Sequence, residues 1–294
     1  MRDGLVVCHL GKGLAVETGE GDVILCQTLR KLAIAAVGDR VLWEPTGGGL
    51  GRVVKILERK SILTRPARRQ KTRPVAANLD QILVVFATEP RCDLLLLDQY
   101  LVICENRGIS AFLIFNKVDL TADLDSLEQE LAIYQRIGYT VIRTSAVARI
   151  GLEQLESKLR GHTSMLAGQS GVGKSSLTNA LIPNRQQRTA ELSQGSLHGK
   201  HTTTTATLFH LPGGGDLIDS PGVAVFGLAD ISENNLAAGY REFGPLLPHC
   251  RFNDCRHLAD KGCAVRLGVE NGDIDRARYK RFLKLREKLP GKSG

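Results

Sequence analysis

Two short motifs stand in an order that few folds can accommodate. Asn116-Lys117-Val118-Asp119 and Ser145-Ala146 come before Gly168-Gln169-Ser170-Gly171-Val172-Gly173-Lys174-Ser175. The later motif is a phosphate loop: its glycines let the backbone curl until consecutive N–H groups point at phosphate oxygens, and the helix that follows adds its N-terminus. The earlier pair suits a guanine base. A carboxylate at Asp119 accepts from both the ring N–H and the exocyclic amine, an arrangement adenine does not offer. Nucleotide domains ordinarily meet phosphate first and base last. The reversed order implies a circularly permuted path through a parallel sheet, with every motif still gathered beyond the carboxyl ends of the strands.

Within that frame each residue has a task. Lys174 neutralises phosphate charge, the Ser175 hydroxyl is a ligand for Mg²⁺, and Ser176 completes the GTP-binding stretch that begins at Gly168. Asn116 and Lys117 support the base loop, and backbone N–H groups near Ser145 and Ala146 are placed to receive guanine O6. Asp219, in Asp219-Ser220-Pro221-Gly222, is expected to hold Mg²⁺ through water, and Gly222 to give a backbone N–H to the γ-phosphate. Two other classes stay open: an ATPase, against which Asp119 argues, and a nucleotide-dependent scaffold that does not hydrolyse.

The surrounding pattern predicts a multidomain α/β protein, since 294 residues with 43% hydrophobic content exceed a usual single domain. Residues 1–64 carry short apolar runs such as Leu5-Val6-Val7, Val23-Ile24-Leu25 and Val53-Val54-Lys55-Ile56-Leu57 between glycine-rich turns, which predicts a small β-barrel of the oligonucleotide-binding (OB) type. Residues 65–78 read as a basic linker; from Arg59 to Arg73 there are seven basic residues and no acid. Residues 79–230 alternate apolar strands (82–87, 111–115, 140–142, 164–167, 216–218) with helices (93–106, 124–137, 152–159, 175–181), the pattern of a parallel sheet covered on both faces by helices. This is the circularly permuted P-loop GTPase domain. Residues 231–294 form a C-terminal zinc-binding α-helical domain.

The zinc assignment rests on spacing. Of seven cysteines, Cys8, Cys26, Cys92 and Cys104 are scattered among apolar neighbours and read as buried reduced thiols. Cys250, Cys255, His257 and Cys263 fall within fourteen residues and offer three thiolates and one imidazole, a full tetrahedral set for one structural Zn²⁺ with no position left for an activating water. His249 is the alternative imidazole. A net charge of +8 and a pI near 9.2 favour a polyanionic partner, nucleic acid ahead of membrane. The last helix, over 274–289, puts Ile274, Phe282, Leu285 and Leu289 on an apolar face and Arg276, Lys280, Lys284 and Lys288 in a basic stripe suited to RNA phosphate. No stretch is apolar enough to span a bilayer and the N-terminal apolar run breaks at His9, so no secretory leader, no membrane partner and a cytoplasmic location are expected.

Together, the GKS loop, the NKVD-before-GKS order, Gly199-Lys200-His201-Thr202-Thr203-Thr204, the DSPG turn and the zinc cluster resemble the bacterial ribosome small-subunit-dependent GTPase A family (RsgA, also called YjeQ) over nearly the whole chain. The resemblance implies an OB barrel, a permuted GTPase domain and a zinc domain. It also implies hydrolysis of GTP to GDP and phosphate, stimulated by the small ribosomal subunit, in a late maturation checkpoint that works through rRNA. A monomer is expected. Val223 follows the DSPG turn where Ras-like enzymes place a water-orienting glutamine, and the resemblance assigns that work to His201. One threonine of Thr202 to Thr205, Thr203 by assignment, supplies the second hydroxyl for Mg²⁺, although the repetition does not discriminate among them. The chain departs from the family's pattern in lacking an extended basic N-terminal arm and in placing Ala224-Val225 after the DSPG turn. Transfer RNA fits the barrel and basic segments as well as ribosomal RNA does.

Overall fold

A computed structural model describes residues 1–10, 13–66, 72–120, 124–183, 206–220, 227–228 and 230–289. The first strands are β1 (Arg2–Leu10), β2 (Gly13–Thr18), β3 (Val23–Thr28), β4 (Arg40–Gly47) and β5 (Leu50–Ile56). Their inward residues, among them Val6, Leu14, Val16, Cys26, Val41, Trp43 and Val53, close on one another in a small core. Strand β1 pairs with both β2 and β4, and β3 runs parallel to β5, so the order β1-β2-β3-β5-β4 returns to β1 as a five-stranded OB-type barrel.

In and beside the basic segment, β6 (Ile62–Pro66) and β7 (Thr72–Ala77) pair antiparallel. Leu63, Val75, Ala76 and Ala77 are buried, an apolar face that the dense basic residues around it obscure in the sequence. This strand pair is tied to the barrel. Ala77 N–H donates to Val37 O at 2.9 Å, Asn78 Nδ2 donates to Gly38 O at 2.8 Å, and Arg59 Nε pairs with the buried Asp39 at 2.7 Å.

The central sheet follows: β8 (Gln81–Phe86), α1 (Leu94–Arg107), β9 (Ser110–Phe115), α2 (Leu124–Arg136), β10 (Thr140–Arg143), α3 (Leu152–Leu159), β11 (Thr163–Ala167), α4 (Lys174–Leu181), β12 (Thr207–His210) and β13 (Asp216–Asp219). Strands β10-β9-β8-β11-β13 are parallel, with β12 antiparallel beside β13. Strand β8 is buried throughout. Its Ile82, Val84 and Phe86 face the layer of α1 and α2, and Leu83 and Val85 face that of α3 and α4. Each such side chain contributes about 1.5–3 kcal/mol by leaving water. Asp93 caps α1 by accepting from Leu95 and Leu96 N–H at 3.0 Å, and Gly108 ends it.

Barrel and central sheet are continuous. Strand β1 pairs with β12 at Cys8 and Thr207, making one eleven-stranded sheet, and the Cys8 Sγ and Thr207 Oγ1 atoms lie 3.4 Å apart. His210 in β12 bridges Asp216 in β13 and Glu17 in β2, at 2.6 Å from each. Hydrogen bonding to Asp216, then to Glu17, raises the imidazole pKa to about 9.

The C-terminal module comprises α5 (Glu233–Ala238), a 3₁₀ turn (Leu247–His249), α6 (Ala264–Asn271) and α7 (Arg276–Glu287). Helix α7 starts later than its apolar pattern, because Asp275 accepts from Ala277 and Arg278 N–H at 2.8 and 3.0 Å and so caps it. Phe282, Leu285 and Leu289 join the same core as α1 and α2, while Arg276, Lys280, Lys284 and Lys288 are exposed. Two other arginines of α7 turn inward. Arg278 Nη1 and Arg281 Nε bind the fully buried Asp98 of α1 at 2.5 and 2.7 Å, and Arg278 Nε pairs with Glu242 at 2.7 Å. Among the described residues no helix is long and apolar enough to cross a membrane.

Candidate nucleotide site and metal centre

Strand β11 delivers the phosphate loop at its carboxyl end, and α4 leaves it. Gly168 and Gly173 have φ of 141° and 94°, where an L side chain is strained, and both are also crowded. A Cβ on Gly168 would lie 2.1 Å from Val85 O, and one on Gly173 2.3 Å from Asn116 Nδ2. The cradle is therefore shaped by bare backbone. No side chain caps the N-terminus of α4, so its first N–H groups face the loop's concavity, with the exposed Ser175 and Ser176 in the first turn. Lys174 Nζ donates to Gly168 O at 2.7 Å and to Gln169 O at 2.5 Å, and burial lowers its pKa. This concave run of donors with one cation fits a nucleotide polyphosphate.

The base-reading loop reaches the phosphate loop despite the reversed order. Asn116, at the end of β9 and buried, donates from Nδ2 to Val172 O at 2.9 Å and accepts at Oδ1 from the Thr144 hydroxyl at 3.1 Å. One amide thus locks three strand-end loops. Lys117, with φ of 64°, turns the chain so that Asp119 is exposed. Ser145 N–H is already spent on Ile150 O at 3.0 Å, and its hydroxyl accepts from Ala148 N–H at 2.9 Å. Of the two N–H groups expected to meet guanine O6, that of Ala146 is the one left without a partner among the described residues.

A third wall escaped sequence reasoning: the loop between β8 and α1. Lys117 Nζ donates to Glu89 O at 2.8 Å. Gln169 Oε1 accepts from Asp93 N–H at 2.8 Å, and its Nε2 donates to Arg91 O at 3.2 Å. These contacts use backbone atoms, which no residue type advertises. Asp219 ends β13, next to β11 and hence on the edge that carries the phosphate loop, and is half-buried. His201, Thr203 and Gly222 lie outside the described residues.

Cys250, Cys255, His257 and Cys263 converge, with all four ligand atoms within 4.8 Å of one another. His257 Nδ1 is 3.7 Å from Cys250 Sγ and 3.6 Å from Cys263 Sγ. A tetrahedral shell with Zn–S of about 2.3 Å and Zn–N of about 2.0 Å has S···N edges near 3.5 Å, so the cluster has dimensions close to those of a zinc site. Burial, together with the neighbouring Cys263 and Cys250 thiols, pushes the Cys255 pKa up to about 12, a cost that a dication between the sulfurs removes. The alternative imidazole, His249, is exposed and outside the cluster. Tyr279 of α7 donates to His257 O at 2.6 Å and so ties the cluster to that helix.

Comparison with known proteins agrees with this geometry. The profile of a family described as RsgA GTPase matches residues 56–229. A protein of Pseudomonas aeruginosa (strain LESB58) named small ribosomal subunit biogenesis GTPase RsgA is 44% identical over 273 residues, covering 92% of this chain and 80% of the relative. A protein of the same name from Pseudomonas syringae pv. tomato is 43% identical, covering 98% and 85%. Among solved structures, YjeQ from Thermotoga maritima matches with a TM-score of 0.79 and 34% identity, over 99% of both chains. YloQ, described as a circularly permuted GTPase, matches with a TM-score of 0.75 and 29% identity, over 97% of this chain and 94% of that one.

Proposed function

The chain belongs to the RsgA GTPase family, whose members hydrolyse GTP, and from that premise we propose that it does so under stimulation by the small ribosomal subunit, in that subunit's biogenesis. The observation that carries the reaction is the hydrogen bond from Asn116 to Val172, which joins base-reading and phosphate loops across a reversed chain order. The name shared by the relatives supports the partner.

In this reading Asp119 selects guanine, Asn116 and Lys117 hold its loop, and Ala146 N–H meets O6. The backbone from Gly168 to Ser176 cradles the phosphates with Lys174, and Gly222 N–H meets the γ-phosphate. Ser175, Thr203 and, through water, Asp219 would hold Mg²⁺, which would supply positive charge to the phosphates. His201 orients the attacking water, since the aliphatic Val223 cannot. The water oxygen bonds to the γ-phosphorus as the bond to the bridging oxygen breaks, leaving GDP and phosphate. Residues 1–64 and the exposed Arg276, Lys280, Lys284 and Lys288 grip rRNA phosphate, with residues 65–78 as a basic connection between the barrel and the GTPase domain at 79–230. Cys250, Cys255, His257 and Cys263 would hold one structural Zn²⁺, which would tie together the module at 231–294. The protein acts as a cytoplasmic monomer with no membrane partner, a late checkpoint that hydrolysis releases.

The test is GTP hydrolysis with and without purified small ribosomal subunits, for wild type and His201→Ala, with ATP as control. Strong stimulation by GTP alone, lost in the variant, supports the reading. Absence of stimulation sinks the ribosomal role, and stimulation that survives in His201→Ala removes that residue from catalysis.

A further inference from the structure

The phosphate loop is connected to the C-terminal helix by a polar path that avoids the segment after Asp219. It begins at Gln169, whose peptide carbonyl is held by Lys174 and whose side chain is bonded at both ends to the turn before α1, through Arg91 O and Asp93 N–H. Phosphate attracts the ammonium that the Gly168 and Gln169 carbonyls also hold, so the backbone here responds to what the loop binds.

Helix α1 is suited to carry that response. It is fourteen residues long and capped at both ends. Asp98 stands about 7.5 Å along its axis from Asp93, by the rise of an α-helix. Its carboxylate takes Arg278 and Arg281 of α7 and the Tyr134 hydroxyl, all buried. Buried charges tolerate little separation, so α7 follows α1 instead of slipping past it. The cluster also has a spare donor. Tyr240, over whose ring Arg278 sits at 4.6 Å, has a buried hydroxyl with no hydrogen-bond partner among the described residues. A shifted Asp98 or Glu242 carboxylate can take it, which provides the second arrangement that coupling requires.

We propose that occupancy of the phosphate loop is communicated to the zinc module through Gln169, α1 and the Asp98–Arg278–Arg281–Tyr240 cluster, so that the basic face of α7 is held differently with GTP and with GDP. Gln169, Asp98 and Tyr240 are positioning residues in this scheme. The inference rests on the GTPase reading, and it adds a route from nucleotide to partner that is independent of the segment after Asp219.

The test is hydrogen exchange on the full-length chain loaded with GDP or a non-hydrolysable GTP analogue, read at the amides of α7. Wild type should show a change of about fivefold or more between the two, the low end of allosteric coupling. No change overturns the proposal. Gln169→Ala, at nucleotide concentrations that saturate it, should lose the difference; a difference that persists overturns the route. Tyr240→Phe removes only an unpartnered hydroxyl, so its fold and basal turnover should be kept while the difference shrinks, and an undiminished difference also counts against the proposal. No ribosome enters this measurement. Failure of subunit stimulation in wild type therefore sinks the proposed function alone, and a silent α7 beside stimulated turnover sinks the coupling alone.

Discussion

Replacing Asp98 with alanine removes the carboxylate on which α7 is fastened. Asp98 is fully buried and accepts from Arg278 Nη1 at 2.5 Å, Arg281 Nε at 2.7 Å and the Tyr134 hydroxyl. Without it, Arg278 keeps both bonds to Glu242, at 2.7 and 3.0 Å, but Arg281 is left with the Tyr134 hydroxyl at 3.4 Å and a more distant carboxylate, Glu130 at 3.6 Å. One buried guanidinium thus loses its close, hydrogen-bonded counter-charge, at a cost of about 3–5 kcal/mol. That is a large part of a fold worth about 5–15 kcal/mol. For a chain of this size the melting temperature should fall by roughly 10 °C, at about 2–4 °C per kcal/mol. Urea and thermal unfolding followed by far-ultraviolet circular dichroism measure it. The triple variant Asp98→Leu, Arg278→Met, Arg281→Leu should recover most of the loss, because apolar side chains of similar volume need no counter-charge. A loss under about 1 kcal/mol in Asp98→Ala would refute the reasoning, since it would make the cluster equivalent to a solvated surface pair.

Three further outcomes are expected. His210 is raised from 6.5 to about 9, so its stabilisation of the barrel junction is fully present below pH 6.5 and disappears as pH rises through 9. For a half-exposed group, screening leaves about 1 kcal/mol of this; urea midpoints should fall over that window in wild type and stay flat in His210→Ala, and a flat wild-type profile removes the clip. Gly173→Ala sets a Cβ 2.3 Å from Asn116 Nδ2 and breaks its bond to Val172. An unpaired buried amide costs about 1–3 kcal/mol, so fluorescent GDP should bind on the order of 10–100-fold more weakly to a folded variant, and unchanged binding would refute this. Cys255→Ser should lose bound zinc, measured by metal analysis, and damage subunit-stimulated hydrolysis more than nucleotide binding; equal loss of both in a folded variant sinks that separation.

The elements that carry the candidate nucleotide residues were legible because their signals are local. A buried run such as Ile82–Phe86 must lie inside a sheet, and Asn116 must follow β9 because that strand's apolar residues end at Phe115. Cys250, Cys255, His257 and Cys263 were legible for the same reason, since ligands within fourteen residues have little freedom to be elsewhere. The pairing of β6 with β7 was not legible, because the basic residues there hid a face made of Leu63, Val75, Ala76 and Ala77. Nor was the split within α7. Arg278 and Arg281 look like Lys280 and Lys284 in composition, and only Asp98, far away in sequence, separates the buried cations from the exposed ones.

The amino-acid sequence by itself determined the permuted order of the motifs, the elements that carry them and the four residues of the Cys/His cluster, because hydrophobic period, glycine placement and ligand spacing act over short stretches of chain. Only the tertiary structure decided how the parts are joined: β1 to β12 across 199 residues, Gln169 to the turn before α1, and α7 to Asp98. Those joints are made by strand edges, backbone carbonyls and buried charges, whose partners are chosen by packing and leave no mark in the local pattern of residues.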